Sequence, residues 1–205
     1  MRYLLLVILL FQSALFAQEE VSHTFSYIQL EPKNYTLNDI KEKSAQGLFK
    51  PLEKNHSKFG FTDKIFWIKV ELKNHTEQTI DQILELNYPA LDTIDIYSLE
   101  DQTFTLKKEL GDHRPYDKST FMPTHNYAFK LLPLEEKTLF IKVLSESSMN
   151  IGISVQSIQD YLSTSTTQIK WLSFYFGAIL IMLMYNFIIY LITQLSHIDS
   201  NKNLY

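Results

Sequence analysis

Phe66-Trp67-Ile68-Lys69-Val70-Glu71-Leu72-Lys73-Asn74 carries the clearest pattern in the chain. Phe66, Ile68, Val70 and Leu72 recur at every second position, with Trp67, Lys69, Glu71 and Lys73 between them. Successive side chains of a strand point to opposite faces, so this period predicts a half-buried β-strand with the first set turned to the core. Segments rich in β-branched and aromatic residues lie on either side: Val21–Leu30, Ile83–Asn87, Thr93–Ser98, Phe104–Leu110, Asn126–Leu131, Thr138–Leu144 and Ile151–Ser157. Turn residues separate several of them, at Tyr88-Pro89, Glu100-Asp101, Gly111-Asp112 and Leu132-Pro133. About eight strands with little helix predict an all-β fold, a jelly-roll-like β-sandwich. One short helix is expected after Asn34-Tyr35, where Thr36 or Asn38 accepts the free N–H groups of its first turn. Lys50 to Gly60, polar and containing Pro51, reads as a loop.

Downstream the pattern changes. Trp171 to Leu195, WLSFYFGAILIMLMYNFIIYLITQL, contains no Asp, Glu, Lys or Arg. As a helix it runs roughly 37 Å at ~1.5 Å per residue. A hydrocarbon core of ~30 Å needs about 20 apolar residues. The sandwich is therefore expected to be followed by a single transmembrane α-helix over residues 171–195. Ile158 to Lys170 is polar and Ser/Thr-rich and reads as a short connector, with the sandwich ending at residue 160 and the connector proper at 161–170. Residues 196–205 form a short tail.

At the other terminus, Met1-Arg2 precedes an apolar run from Tyr3 to Phe11, and Ser13-Ala14-Leu15-Phe16-Ala17 offers a small residue before Gln18. That is the pattern of a secretory signal peptide over residues 1–17, with an uncleaved anchor as the alternative. The domain at 18–160 is thus expected in the periplasm, held at a bacterial inner membrane with the tail in the cytoplasm. The 205 residues carry 19 Lys and Arg against 23 Asp and Glu, a net charge of -4. With basic residues scattered among carboxylates, nucleic acid is not an expected partner. The chain has no cysteine, which excludes a disulfide scaffold, a thiol nucleophile and a thiolate metal site.

No nucleophile elbow, Walker loop, dinucleotide turn or HExxH is present, and the histidines form no HxH or HxxxH pair. Asp92 with Asp95, and Glu135 with Glu136, sit in ordinary polar contexts. The chain reads as non-catalytic, without cofactor or metal. A ligand site is expected instead at Trp67, Asp112, His113, Arg114 and Tyr116. A carboxylate, a guanidinium and an aromatic ring close together suit a sugar or carboxylate ligand. The same loop also reads as a strand-ending turn stiffened by Pro115, with Arg114 paired to Asp112. Trp67, on the face away from the core, either lines a groove or packs under the Lys50–Gly60 loop. Of the N-x-S/T triplets at Asn34, Asn55 and Asn74, only Asn55 has an acidic residue two positions earlier (Glu53), the extended pattern of bacterial N-glycosylation.

The order of features resembles the type 2 extracellular domain of bacterial seven-transmembrane receptors with diverse intracellular signalling modules, together with the first helix of their membrane bundle. Phe59-Gly60-Phe61-Thr62-Asp63 before the Phe66–Asn74 strand is similar to the family's Gly followed by Trp-Leu-Arg and a closing Asn. Leu84-Glu85-Leu86-Asn87-Tyr88-Pro89-Ala90-Leu91-Asp92 looks like its Leu-Glu, Tyr-Pro and Leu-Asp run. Ile94-Asp95-Ile96-Tyr97, Gly111-Asp112 with Pro115, and Phe140-Ile141-Lys142-Val143 follow in family order. Phe176-Gly177 and Tyr185-Asn186 resemble its Tyr-Gly and Tyr-Asn positions in the first span. Lys69 and Lys142 stand where arginines are expected, which removes bidentate geometry there. The resemblance implies a membrane-anchored ligand-sensing domain, of carbohydrate or a related small molecule; with no effector in this chain, its signal is expected to pass to a partner subunit. Because one helix of seven is present and no output domain follows, the chain is expected to be a truncated or fragmentary form. Two other readings stand beside it: a non-catalytic envelope interaction or tethering protein, and an exported carbohydrate-active enzyme.

Overall fold

The computed structural model describes residues 20–52, 56–115 and 124–202. The signal peptide, Asn55, Tyr116 and the last three residues lie outside them. Ten strands and two helices follow in the order β1 (Val21–Leu30), α1 (Leu37–Ala45), β2 (Lys50–Pro51), β3 (His56–Phe61), β4 (Ile65–Asn74), β5 (Ile80–Leu86), β6 (Thr93–Glu100), β7 (Thr103–Leu110), β8 (His125–Leu131), β9 (Glu136–Leu144), β10 (Ser148–Ser157) and α2 (Ile158–Lys202). They form a six-stranded sheet, β2-β1-β4-β9-β6-β7, and a four-stranded sheet, β3-β10-β5-β8. All pairings are antiparallel.

The expected sandwich is the fold. Period-two alternation sends Phe66, Ile68, Val70 and Leu72 of β4, Ile94 and Ile96 of β6, and Leu139, Ile141 and Val143 of β9 into one core. The four-stranded sheet meets them with Leu84 and Leu86 of β5, Leu131 of β8, and Met149, Ile151 and Ile153 of β10. Removing these side chains from water drives the closure of one sheet on the other, each contributing about 1.5–3 kcal/mol.

Several local expectations change. β4 is buried on both faces over Ile65–Ile68, where α1 and Phe49 cover the outer face of the six-stranded sheet, and is half-buried as expected beyond, with Glu71 and Lys73 exposed. There Ile40, Leu30, Ile65, Trp67 and Phe140 form a second apolar cluster, edged by Tyr97 and Phe104. α1 starts where its cap predicts: the Asp39 N–H donates to Thr36 Oγ1 and the Thr36 N–H donates to an Asp39 carboxylate oxygen, a reciprocal capping box. Those bonds hold the Asp39 carboxyl below its usual range. The Lys50–Gly60 stretch contains β2 and most of β3 instead of a loop alone. Asn74, an N-x-T position, is buried with its amide fully bonded, so it presents no acceptor.

The sandwich and α2 are separate compact units. α2 is a single helix of 45 residues. Its first turns occupy the stretch expected as a connector. Thr166 Oγ1 donates to Leu162 O and Thr167 Oγ1 to Ser163 O, so these polar side chains are satisfied within the helix. It also continues to Lys202, through residues expected as tail. Its most apolar window has a mean hydropathy of 2.1 and none of that window is buried. Among the described residues this is the one helix long and apolar enough to cross a membrane.

Candidate functional site

The register of the strands gives the sandwich two distinct ends. Phe61 of β3, Ile65 of β4, Thr93 of β6, Leu144 of β9 and Ser148 of β10 lie at one of them. Here the β3–β4, β5–β6 and β9–β10 turns meet the segment after β7 around a cavity of about 720 Å³. Its walls include Phe61, Asp63, Asp92, His113, Ser145 and Glu146.

The β5–β6 turn is the hub. Asp112 N–H donates to Leu91 O at 2.9 Å and His113 N–H donates to Asp92 O at 3.1 Å. That approach depends on Gly111, which has φ +129°, and whose missing Cβ would sit 2.1 Å from Asp92 O. No other residue fits there. On the opposite side the Glu146 N–H donates to Asp92 Oδ2 at 2.6 Å, and the Ser145 and Ser147 hydroxyls donate to Ala90 O. Asp92 is thus a strut between two turns that are 54 residues apart in sequence.

Side chains facing the cavity are less committed. His113 is more than half exposed, with Nε2 3.9 Å from Asp92 Oδ1, beyond hydrogen-bond reach. Among the described residues, Asp63 and Glu146 make no side-chain hydrogen bond or ion pair. Phe61 is 84% exposed. It follows Gly60 (φ +71°), which pairs with Met149 beside a bulge between Met149 and Asn150. Bulges re-aim side chains at strand ends.

Of the residues expected to bind ligand, the structure brings His113 to the cavity. Asp112 is exposed outside its wall. Arg114 is taken up by the scaffold: Nη2 lies 2.6 Å from Asp95 Oδ1 and 3.3 Å from Glu109, and Nη1 donates to Ile94 O. Its partner is therefore Asp95 rather than Asp112. Trp67 is 2% exposed, beneath α1 and against Tyr97 at 5.7 Å, and offers no surface to a groove. Phe61, Asp63, Asp92, Ser145 and Glu146 carry no local sequence signal as a group, since each belongs to a different turn or to neighbouring positions in one. Phe61 alone stands out in the sequence, as an aromatic ring leading into the polar Thr62-Asp63.

Two smaller hollows lie elsewhere on the sandwich. One, about 190 Å³ between β1, β4 and β9, is bridged by Lys73 and Glu136 at 2.6 Å. The other, about 350 Å³, lies along α1 beside Asp39 and Lys43. Among the described residues no group of three or more His, Asp or Glu side chains is placed to hold a metal ion. The main cavity can accept hydrogen bonds from hydroxyl or amine groups through its carboxylates while Phe61 offers a flat apolar face.

No curated protein matches the sequence. A family model does, over residues 22–157, from the second residue of β1 to the last residue of β10. The matched segment is the whole sandwich and stops where α2 begins: the chain belongs to the 7TMR-DISM extracellular 2 family.

Proposed function

We propose that this extracellular sensory domain binds a small polyhydroxylated ligand, a sugar or a close relative, in the cavity beside His113. The observation that carries the reading is the convergence of separate turns on a cavity of about 720 Å³, within the ~300–1,000 Å³ usual for small-molecule sites. Asp63 and Glu146 accept hydrogen bonds from ligand hydroxyls, Phe61 stacks on the apolar face of a ring, and His113 closes one side. Nothing in this arrangement needs a reactive group, so the site binds rather than catalyses. α2 anchors the domain in a bacterial inner membrane with the sandwich in the periplasm, and the bound state is passed to a signalling partner. Such a signal requires the ligand to prefer one of two states of the domain.

Calorimetric titration of the purified full chain in detergent with glucose, galactose, glucosamine and N-acetylglucosamine tests this. At least one is expected to bind, with Phe61→Ala and Glu146→Gln each weakening it tenfold or more. Binding that both variants leave unchanged would refute the site. The competing role, tethering an envelope protein, draws on the exposure of Phe61. It predicts a partner retained from solubilised membranes and lost in Phe61→Ala, with no heat from any sugar.

A further inference from the structure

The end of the sandwich opposite the cavity displays an apolar tip. Leu132-Pro133-Leu134-Glu135 carries the chain from β8 in the four-stranded sheet to β9 in the six-stranded sheet. Leu132 is 58% exposed and Leu134 63%. Leu134 also has φ +56°, a left-handed conformation that Gly or Asn adopts at less cost. Solubility and backbone strain both disfavour a leucine here, so the fold by itself gives no reason for it.

The turn is firmly built. Leu132 N–H donates to the Glu135 carboxylate at 2.6 Å, Leu134 N–H to Thr76 O at 3.1 Å, and buried Asn74 donates to Leu132 O at 2.8 Å. Its charges are internally matched: Lys137 pairs with Glu135 at 3.0 Å and Lys130 lies 3.8 Å from Asp81. No basic excess marks it as a site for anions.

Register shows what this end is attached to. Ser157, the last residue of β10, pairs with Gln82, which pairs with Phe129. β5 and β8 continue two pairs further, to Ile80 and Leu131, before the turn begins. The tip therefore projects at least about 7 Å beyond the end of β10, at ~3.4 Å per residue. β10 runs into α2 with no intervening residue. From Ile158 to Lys170, before the uncharged span, the leash measures at most about 20 Å as helix. The headgroup layer extends roughly 5–7 Å outside the hydrocarbon.

We propose that Leu132 and Leu134 insert into the lipid headgroup region, giving the sandwich a second contact with the membrane that α2 crosses. The inference rests on the membrane reading of α2 given above. Because the tip is apolar and its charges are paired, the contact does not require anionic lipid and is insensitive to salt. It sets which end of the sandwich meets the bilayer and leaves the cavity end free.

The chain has no cysteine, so single introduced thiols label cleanly. An environment-sensitive fluorophore is placed at Lys130→Cys beside the tip, at Asp112→Cys near the cavity and at Ile181→Cys within the span. Each full-length variant is reconstituted in phosphatidylcholine nanodiscs containing lipid spin-labelled in the headgroup region or, for the Ile181 probe at mid-bilayer depth, lipid spin-labelled deep in the acyl chain. The Lys130 probe is expected to be quenched several-fold more than the Asp112 probe, and to lose that difference in a Leu132→Ser/Leu134→Asn background. Asparagine suits the left-handed position, so that background should keep its melting temperature. Equal quenching at 130 and 112, with the Ile181 probe quenched, overturns the tip contact and leaves the span intact. Quenching at 130 that survives the double substitution overturns it too. Shielding from aqueous iodide without lipid quenching assigns the tip to a protein surface and refutes the proposal. An unquenched Ile181 probe refutes the span itself, and the tip contact with it.

Discussion

The two ends of the sandwich treat their polar side chains in opposite ways. At the end where β10 finishes, Asn74 is wholly buried and uses its full capacity: Nδ2 donates to Gln78 O and Leu132 O, and Oδ1 accepts from the Thr76 N–H and hydroxyl. At the other end the backbone is stapled just as firmly through Gly111, Asp92 and Glu146 N, yet among the described residues the Asp63 and Glu146 carboxylates and the His113 ring stand around a cavity without a hydrogen bond of their own. Saturated polar groups serve the fold. Groups held by a rigid backbone but left unsatisfied are available to a ligand.

The comparison breaks most visibly at Gly111. Gly111→Ala brings a Cβ to 2.1 Å from Asp92 O at φ +129°, and should cost about 3 kcal/mol or more, with the mechanism of a strained backbone. Denaturant unfolding of the purified chain measures it, and a loss under about 1 kcal/mol would show that the two turns separate freely. Asn74→Ala, at the saturated end, strands two carbonyls and the Thr76 donors, and should cost about 2–3 kcal/mol in the same assay. Asp63→Asn and Glu146→Gln sharpen the contrast from the other side. Stability should stay within about 0.5 kcal/mol, the usual surface range, while ligand affinity falls.

Acid provides the smallest effect. Glu136, hydrogen-bonded by Lys73 beside the β8–β9 turn, has its carboxyl held below the usual value of 4.5. A depressed carboxylate contributes stability that is complete above its unfolded value and disappears as pH falls through the lower folded one. Wild type should therefore lose stability slightly more steeply than Glu136→Gln below about pH 4.5, and match it in slope at neutral pH. Parallel curves throughout would remove this ion pair from the account.

What the sequence makes legible follows from how local each cause is. The alternation of Phe66, Ile68, Val70 and Leu72 states the core face of β4 outright, and the cap candidates Thr36 and Asn38 announce α1, with the structure choosing Thr36. Trp67 shows where pattern stops: its period does turn it away from the main core, but α1 and Phe49 return to cover it, a contact between distant segments. β3 is masked by polar residues and Gly60, since an edge strand needs little apolar content. The Ser/Thr composition of Ile158–Lys170 suggests a connector because it hides side chains that bond back to their own helix. At the cavity, Asp92 and Asp95 are three positions apart yet serve different turns, one holding Glu146 N and the other Arg114. Only assembled strands reveal that division.

Hydrogen exchange of the full chain, with and without the sugar that binds it best, tests the central claim most directly. The account predicts slowed exchange at Phe61–Asp63, Asp92–Thr93, His113 and Ser145–Glu146, with the Asn74 and Leu132–Glu135 turns unchanged. Protection confined to the Asn74 end, or none at the cavity while the sugar is bound, would contradict it.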